Sequence, residues 1–191
     1  MRILRILPLL LLVPACGYTL RGNSRVFFEN HKIRTLYVAP VRNNSFKAGI
    51  EIQIYNSLRK RVAQGGYVRI VDSRDVADAV LNATVLNAGY SPAGITTTDQ
   101  IAPIGSGPKN VQIASEYSVN LSIGFQLVEI KSNKALWADS VTRTKSFSAS
   151  TYLGALGTTS ALINESDFER SLSELSTGIV MDAEESMNSS I

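Results

Sequence analysis

A single cysteine, Cys16, and a single histidine, His31, bound the chemistry open to this chain of 191 residues. One imidazole supports neither a histidine-centred nucleophile relay nor a Cys/His metal cluster. No phosphate-binding glycine loop and no G-x-S-x-G elbow occurs. His31 lies ahead of the first predicted strand and reads as a surface residue. The residues therefore nominate no catalytic group and no metal ligand, and the chain is not expected to be an enzyme.

Cys16 has a different chemistry available. Residues 1–5 carry two positive charges, residues 6–13 form an apolar run broken only by Pro8, and Val13-Pro14-Ala15 leads into the cysteine. This is the order of a secretory signal peptide, and the run is far shorter than the roughly 20 apolar residues that span a bilayer. The tetrapeptide is similar to a bacterial lipobox, with an aliphatic residue, a small residue and then cysteine; Pro14 is a less common occupant of its position. Cleavage is expected between Ala15 and Cys16, so residues 1–15 are a signal peptide and Cys16 becomes the first mature residue. As the lone cysteine it has no internal disulfide partner, and its thiol is placed to take a diacylglyceryl group. That covalent lipid, with an N-acyl chain on the freed amine (palmitate-type chains), is the only non-protein group expected; no cofactor is. One acyl chain holds a protein only marginally on a membrane, and two or three hold it stably. Gly17 stands where an aspartate would favour retention at the inner membrane, which points to the periplasmic face of the outer membrane in a Gram-negative cell.

A second set of residues suits anions. Lys131 and Lys134 lie in a polar turn, with Arg143 and Lys145 on the strand after it, and ammonium and guanidinium groups pair well with phosphate. The same charges also serve an ordinary purpose, because lysines on turns and edge strands keep sheets soluble. Arg59-Lys60-Arg61 reads equally as a solvated helix face. Global charge decides nothing: without Arg2 and Arg5 the balance is 17 basic to 16 acidic residues, and no nucleic-acid argument survives. The distribution is uneven, since residues 161–191 carry seven acidic side chains against Arg170 alone. That asymmetry marks either a face for an anionic partner or two solvated helix surfaces.

The elements that must position these residues emerge from periodicity. With 45% hydrophobic and 18% charged residues the mature chain is long enough for one packed core. Residues 33–41 (IRTLYVAPV) read as a strand ending at Pro40. Ile50, Ile54, Leu58 and Val62 make one stripe on a helix over 49–64 that stops at Gly65-Gly66. Residues 67–71 and 79–88 read as further strands. From 115 to 130, apolar Tyr117, Val119, Leu121, Ile123, Phe125 and Leu127 alternate with polar or small residues, predicting a half-buried strand; a turn at 131–134 then starts a return strand over 135–147. Ser166 and Glu169 have the spacing of a capping box, opening a helix with Phe168, Leu172, Leu175, Ile179 and Ala183 on one stripe. Residues 89–114 read as a long irregular stretch, in which 105–108 (GSGP) fits no regular element, and 146–160 as a second loose connection. The expected fold is an α+β two-layer sandwich: two amphipathic helices on one face of a four- to five-stranded mixed sheet, in the order β-α-β-β-β-β-α. Residues 33–187 would form this single periplasmic domain, and residues 16–32 a lipidated tether placing it within roughly 60 Å of the bilayer.

The start of the mature chain, Cys16-Gly17-Tyr18-Thr19-Leu20-Arg21-Gly22, resembles the C-G-Y-x-L-R-G opening of the LPS-assembly lipoprotein family, LptE. Val38-Ala39-Pro40, Val71-Asp72, Ala77-Asp78-Ala79-Val80-Leu81 and Leu136-Trp137 are similar to that family in kind and order, across nearly all of residues 16–185. The resemblance implies a non-enzymatic lipoprotein that plugs the large β-barrel LptD and helps deliver lipopolysaccharide to the outer leaflet. It also implies two helices on a small sheet, and lipopolysaccharide binding by basic residues on the sheet side. No family motif fixes those positions in this chain, so Lys131, Lys134, Arg143 and Lys145 stand as candidates on their chemistry. A rival reading is an outer-membrane lipoprotein that activates peptidoglycan synthesis or serves a secretion complex. Its domain can begin with the same strand, turn and helix, but such activators need a long flexible tether, and residues 17–32 are few and not proline-rich.

Overall fold

The structure, a computed structural model, describes residues 24–100, 109–153 and 159–190. The expected signal peptide, the expected cleavage between Ala15 and Cys16, the motif at 16–22 and residues 105–108 lie outside the described residues. Three helices and one main sheet are present: α1 (Ser24–Asn30), α2 (Ile50–Gly65) and α3 (Glu165–Ser189), with β1 (Thr35–Val38), β2 (Arg42–Asn43), β3 (Arg69–Val71), β4 (Ala79–Gln100), β5 (Lys109–Glu129) and β6 (Ala135–Ser148). The sheet runs β3-β1-β4-β5-β6, with two-residue β2 continuing the β1 side of β4. β1 is parallel to β3 and to β4, and β4, β5 and β6 are antiparallel. A separate ribbon pairs β7 (Ser150–Leu153) with β8 (Thr159–Leu162). The mixed α+β sandwich is the expected fold, with one helix and several strand pairings added.

Alternation decides the layers. Val119, Leu121, Ile123, Phe125 and Leu127 of β5 are buried under the helices, and their partners Val141 and Trp137 of β6 and Ala83 and Leu81 of β4 share that face. Each fully buried aliphatic side chain there contributes about 1.5–3 kcal/mol. From above, α2 supplies Ile50, Ile54 and Leu58, and α3 supplies Phe168, Leu172, Leu175, Ile179 and Ala183. α2 ends where the glycine pair requires: Gly66 takes a left-handed φ of 68°, and its amide donates to the Val62 carbonyl.

Three sequence readings change. Residues 24–30, read as part of the tether, form helix α1. Its Phe27 and Phe28 are 1% and 3% exposed, and Phe28 stacks on Tyr67. A seven-residue helix is too short to stand alone, and only packing holds it. Most of the described part of 89–114 is regular strand, so that β4 and β5 pair continuously from Ala79↔Glu129 to Gln100↔Lys109. Pro92 and Gly94, which made the segment read as loop, sit at register shifts where the ladder is already interrupted. A further bulge between Val85 and Asn87 shifts the alternation by one, so Ala88, not Asn87, is the next buried residue. Finally, α3 is capped by Asn164, whose Oδ1 accepts from the amides of Ser166 at 3.1 Å and Asp167 at 3.4 Å. The helix thus starts before Ser166, and Glu169 is released from the expected box to pair elsewhere.

Candidate functional site

The four candidate basic residues fall into two pairs that the fold keeps apart. Lys131 and Lys134 are exposed in the β5–β6 turn. Arg143 lies nine residues further along β6 than Lys134, a separation of about 30 Å at ~3.3 Å per residue. No single phosphate group can touch both pairs.

Arg143 and Lys145 are also committed within the domain. They register with Leu121 and Val119, both fully buried, so they share the helix-covered side of the edge strand. The Arg143 guanidinium grips Asp182 of α3 bidentately, with Nε donating at 2.5 Å and Nη2 at 2.7 Å. Lys145 donates to Glu174, and that bond is the chief reason the Glu174 carboxyl is held below its ordinary range. Gly178 leaves the room Arg143 needs: a β-carbon there would come within 2.4 Å of Nη1.

These pairs belong to a seam along α3. Lys47, from the turn before α2, donates to Glu165 at 3.0 Å and to Glu169, and lies 5.1 Å over the Phe168 ring. The hydrogen bond to Glu169 is the main cause of its raised pKa. Arg61 of α2 pairs with Glu184, which also accepts from the Tyr67 hydroxyl. Six of the seven acidic residues in 161–191, namely Glu165, Asp167, Glu169, Glu174, Asp182 and Glu184, are in ion pairs. The uneven charge distribution thus reflects a helix docked electrostatically onto its own domain. Sequence reasoning missed this, although the signal was available: Arg143 and Lys145 have the same parity on β6 as Trp137, Val141 and Phe147.

The sheet face away from the helices is polar at its centre, with exposed Arg42 beside Thr84 and the half-exposed Leu86 against Gly124. It presents Thr84, Asn87, Asn120, Ser122 and Thr142, with Asn87 donating to Asn120 and the Thr142 hydroxyl to that of Ser122 at 2.8 Å. Beyond the last β5–β6 pair, Glu116↔Ser148, residues Ile95–Gln100 and Lys109–Ala114 are paired only with one another as strands, a two-stranded arm of about 20 Å.

Elsewhere the chemistry is structural. His31 sits at the end of α1, its Nδ1 2.9 Å from the Phe27 carbonyl oxygen and its ring 4.5 Å from that of Phe27. A small apolar pocket of about 50 Å³ lies between α1, the C-terminal ends of α2 and α3, and the sheet, lined by Phe28, Leu58, Phe125, Trp137 and Met187 among others. It is far below the ~300 Å³ of ordinary ligand sites. Among the described residues no cluster of three His, Cys, Asp or Glu side chains is placed to hold a metal, and no helix is long and apolar enough to cross a membrane.

Comparison with known proteins places this chain. No curated protein sequence matches it. Among solved structures it is similar to the rare lipoprotein B of Shewanella oneidensis, at 14% identity over 82% of this chain and 96% of that one, with a TM-score of 0.45. It is similar also to a minor lipoprotein of Acinetobacter baumannii, at 13% identity over 82% and 94%, with a TM-score of 0.43. The sequence profile of the family described as LptE, lipopolysaccharide-assembly, matches residues 33–181. The chain belongs to the lipopolysaccharide-assembly LptE family, whose members are components of lipopolysaccharide transport and not enzymes.

Proposed function

We propose that this chain is an outer-membrane lipoprotein, anchored through acyl chains on Cys16 at the periplasmic face, that seats as a plug in the β-barrel LptD. There it assists barrel assembly and helps deliver lipopolysaccharide to the outer leaflet. The observation that carries this reading is the family match over residues 33–181, joined to a lone cysteine directly after fifteen residues that read as a signal peptide.

The surface chemistry supports a barrel partner. A barrel that encloses another protein presents a polar inner wall, and a face whose centre is made of hydroxyls and amides can hydrogen-bond to such a wall. Packing of α1 onto the core leaves seven residues between Cys16 and Ser24, or at most about 29 Å of chain over those eight steps. That reach suits a partner in the same membrane better than a synthase across the periplasm. Lys131 and Lys134 stay exposed for phosphate contact. Arg143 and Lys145 would reach a phosphate only by releasing Asp182 and Glu174.

The test is a detergent extraction of membranes with affinity capture of the chain and identification of the proteins that co-purify, run beside metabolic labelling with radioactive palmitate. Expected are a labelled chain, a large co-purifying barrel, and loss of both label and membrane retention in Cys16→Ala. Capture of a peptidoglycan synthase without a barrel, or a wild-type chain that takes no label, would overturn the reading.

A further inference from the structure

The cations that α3 does not neutralise are concentrated at one end of the domain. β1, β3 and β4 begin at that end, since Thr35 registers with Arg69 and Leu36 with Ala79. β5 ends and β6 begins there too, since Ala79 registers with Glu129. The connections around these strand ends carry Lys32, Arg34, Arg69, Arg74, Lys131 and Lys134, all exposed and none in an ion pair among the described residues. The opposing carboxylates are fewer. Asp78 is occupied by the amides of Arg34 and Thr35 and by the Thr35 hydroxyl, Glu129 accepts from Ser132, and Asp75 is exposed. Asp72 is paired with Arg59, and Glu29 with Arg25. With exposed Lys60 near the end of α2 and Glu185 near the end of α3 included, seven cations without an ion pair among the described residues face four carboxylates, so this end is net positive.

The chain also enters the domain at this end. α1, the first described element, packs through Phe28 on Tyr67, just ahead of β3, and against the C-terminal part of α3. Cys16 is eight residues before Ser24, a reach of at most about 29 Å. The far end of the domain differs in character, because Phe46, Ile95 and Leu162 are exposed apolar groups there.

We propose that the basic end, carrying Lys32, Arg34, Arg69, Arg74, Lys131 and Lys134, rests on the anionic phospholipid headgroups of the membrane that holds the anchor. The contact is with the lipid surface and not with the transported cargo. It rests on the Cys16 reading for the choice of membrane. An acyl anchor and a basic patch reinforce one another, because the anchor holds the patch within about one Debye length, ~10 Å, of the headgroups. The contact would orient the domain, with the two-stranded arm pointing away from that surface.

The test removes the anchor so that only the surface contributes. The mature chain carrying Cys16→Ser is sedimented with vesicles of phosphatidylcholine alone or mixed with phosphatidylglycerol. Binding is expected to the mixed vesicles only and to fall as salt rises. Each cation near an anionic surface raises partitioning roughly fivefold, so the Lys131→Gln/Lys134→Gln double variant should bind at least about tenfold more weakly. Arg42→Gln, which removes one charge from β2 beside Thr84 and away from the basic end, should bind as the parent does; circular dichroism confirms that each variant is folded. Equal binding to both vesicle types, no loss in the double variant, the same loss in Arg42→Gln, or binding to lipopolysaccharide micelles with none to vesicles would overturn the proposal. Acylation of the native chain is read separately by mass spectrometry, so a missing anchor and a missing surface contact give different results.

Discussion

Replacing Gly178 by alanine sets two effects of similar size against each other, and their balance reports what Arg143 does. Inside a helix the exchange stabilises by about 1 kcal/mol, because glycine loses more backbone freedom on folding. A β-carbon at 178 stands 2.4 Å from Arg143 Nη1 and 2.9 Å from its Cζ, so the methyl group and the bidentate grip on Asp182 cannot coexist in the present geometry. That pair has side chains 45% and 35% exposed, and exposed pairs contribute about 0.2–1 kcal/mol; the bidentate geometry puts this one toward the upper half. Gly178→Ala should therefore stabilise the native background by only about 0–0.5 kcal/mol, and the Arg143→Gln background by the full ~1 kcal/mol. Urea unfolding of the four proteins of this cycle, at low ionic strength, gives the coupling directly. Expected is a coupling of about 0.5 kcal/mol or more that shrinks when salt is added. An identical gain of ~1 kcal/mol in both backgrounds would refute the reasoning. Arg143 would then be unlatched and available to a phosphate, as its position in the sequence first suggests.

Asp78 gives a pH-dependent counterpart: its carboxyl is held below the ordinary range, first by the Arg34 amide and then by the Thr35 hydroxyl and amide. A lowered folded pKa means stability that is fully present above the unfolded value near 4 and lost as pH falls through the folded one. Asp78→Asn should cost about 1–2 kcal/mol at pH 7 and progressively less below pH 4; a urea-unfolding difference that stays constant with pH would contradict this. Leu121→Ala, at a side chain with no exposure in the centre of β5, should cost about 2–5 kcal/mol in the same assay, and a loss under ~1 kcal/mol would mean that the sheet and helices are not packed there as described.

How much of this was legible in the sequence depends on how local each determinant is. The two long helices and the 115–130 strand are set by periodicity, because one side of each is buried along its whole length, and Gly65-Gly66 marks the end of α2 chemically. Helix α1 was not legible: two adjacent phenylalanines in seven residues set no period, and what holds them is Tyr67 and α3, distant in sequence. The extension of β4 was hidden by Pro92 and Gly94. Both signal a loop when read locally, and both are accommodated because the ladder shifts register where they fall. The α3 cap was misplaced by two residues because Asn164 and Ser166 are both good caps, and Lys47, the cation that holds Glu169, is more than a hundred residues away.

The candidate phosphate contacts show the same division more sharply. Lys131, Lys134, Arg143 and Lys145 are neighbours in sequence and similar in charge, and nothing in composition separates them. Strand geometry does. Alternation turns Arg143 and Lys145 toward α3, where carboxylates await them, while the turn leaves Lys131 and Lys134 in solvent among cations contributed by three other connections. The acidic C-terminal helix thus acts as an internal counter-charge: by pairing with Arg143 and Lys145 at the middle of the sandwich it leaves most of the unpaired cations at the end where α1 joins the domain. A small overall charge is in this way compatible with a domain that is basic at the end where α1 joins it. A directional arrangement of that kind is what the proposed orientation between a lipid surface and a barrel wall would require.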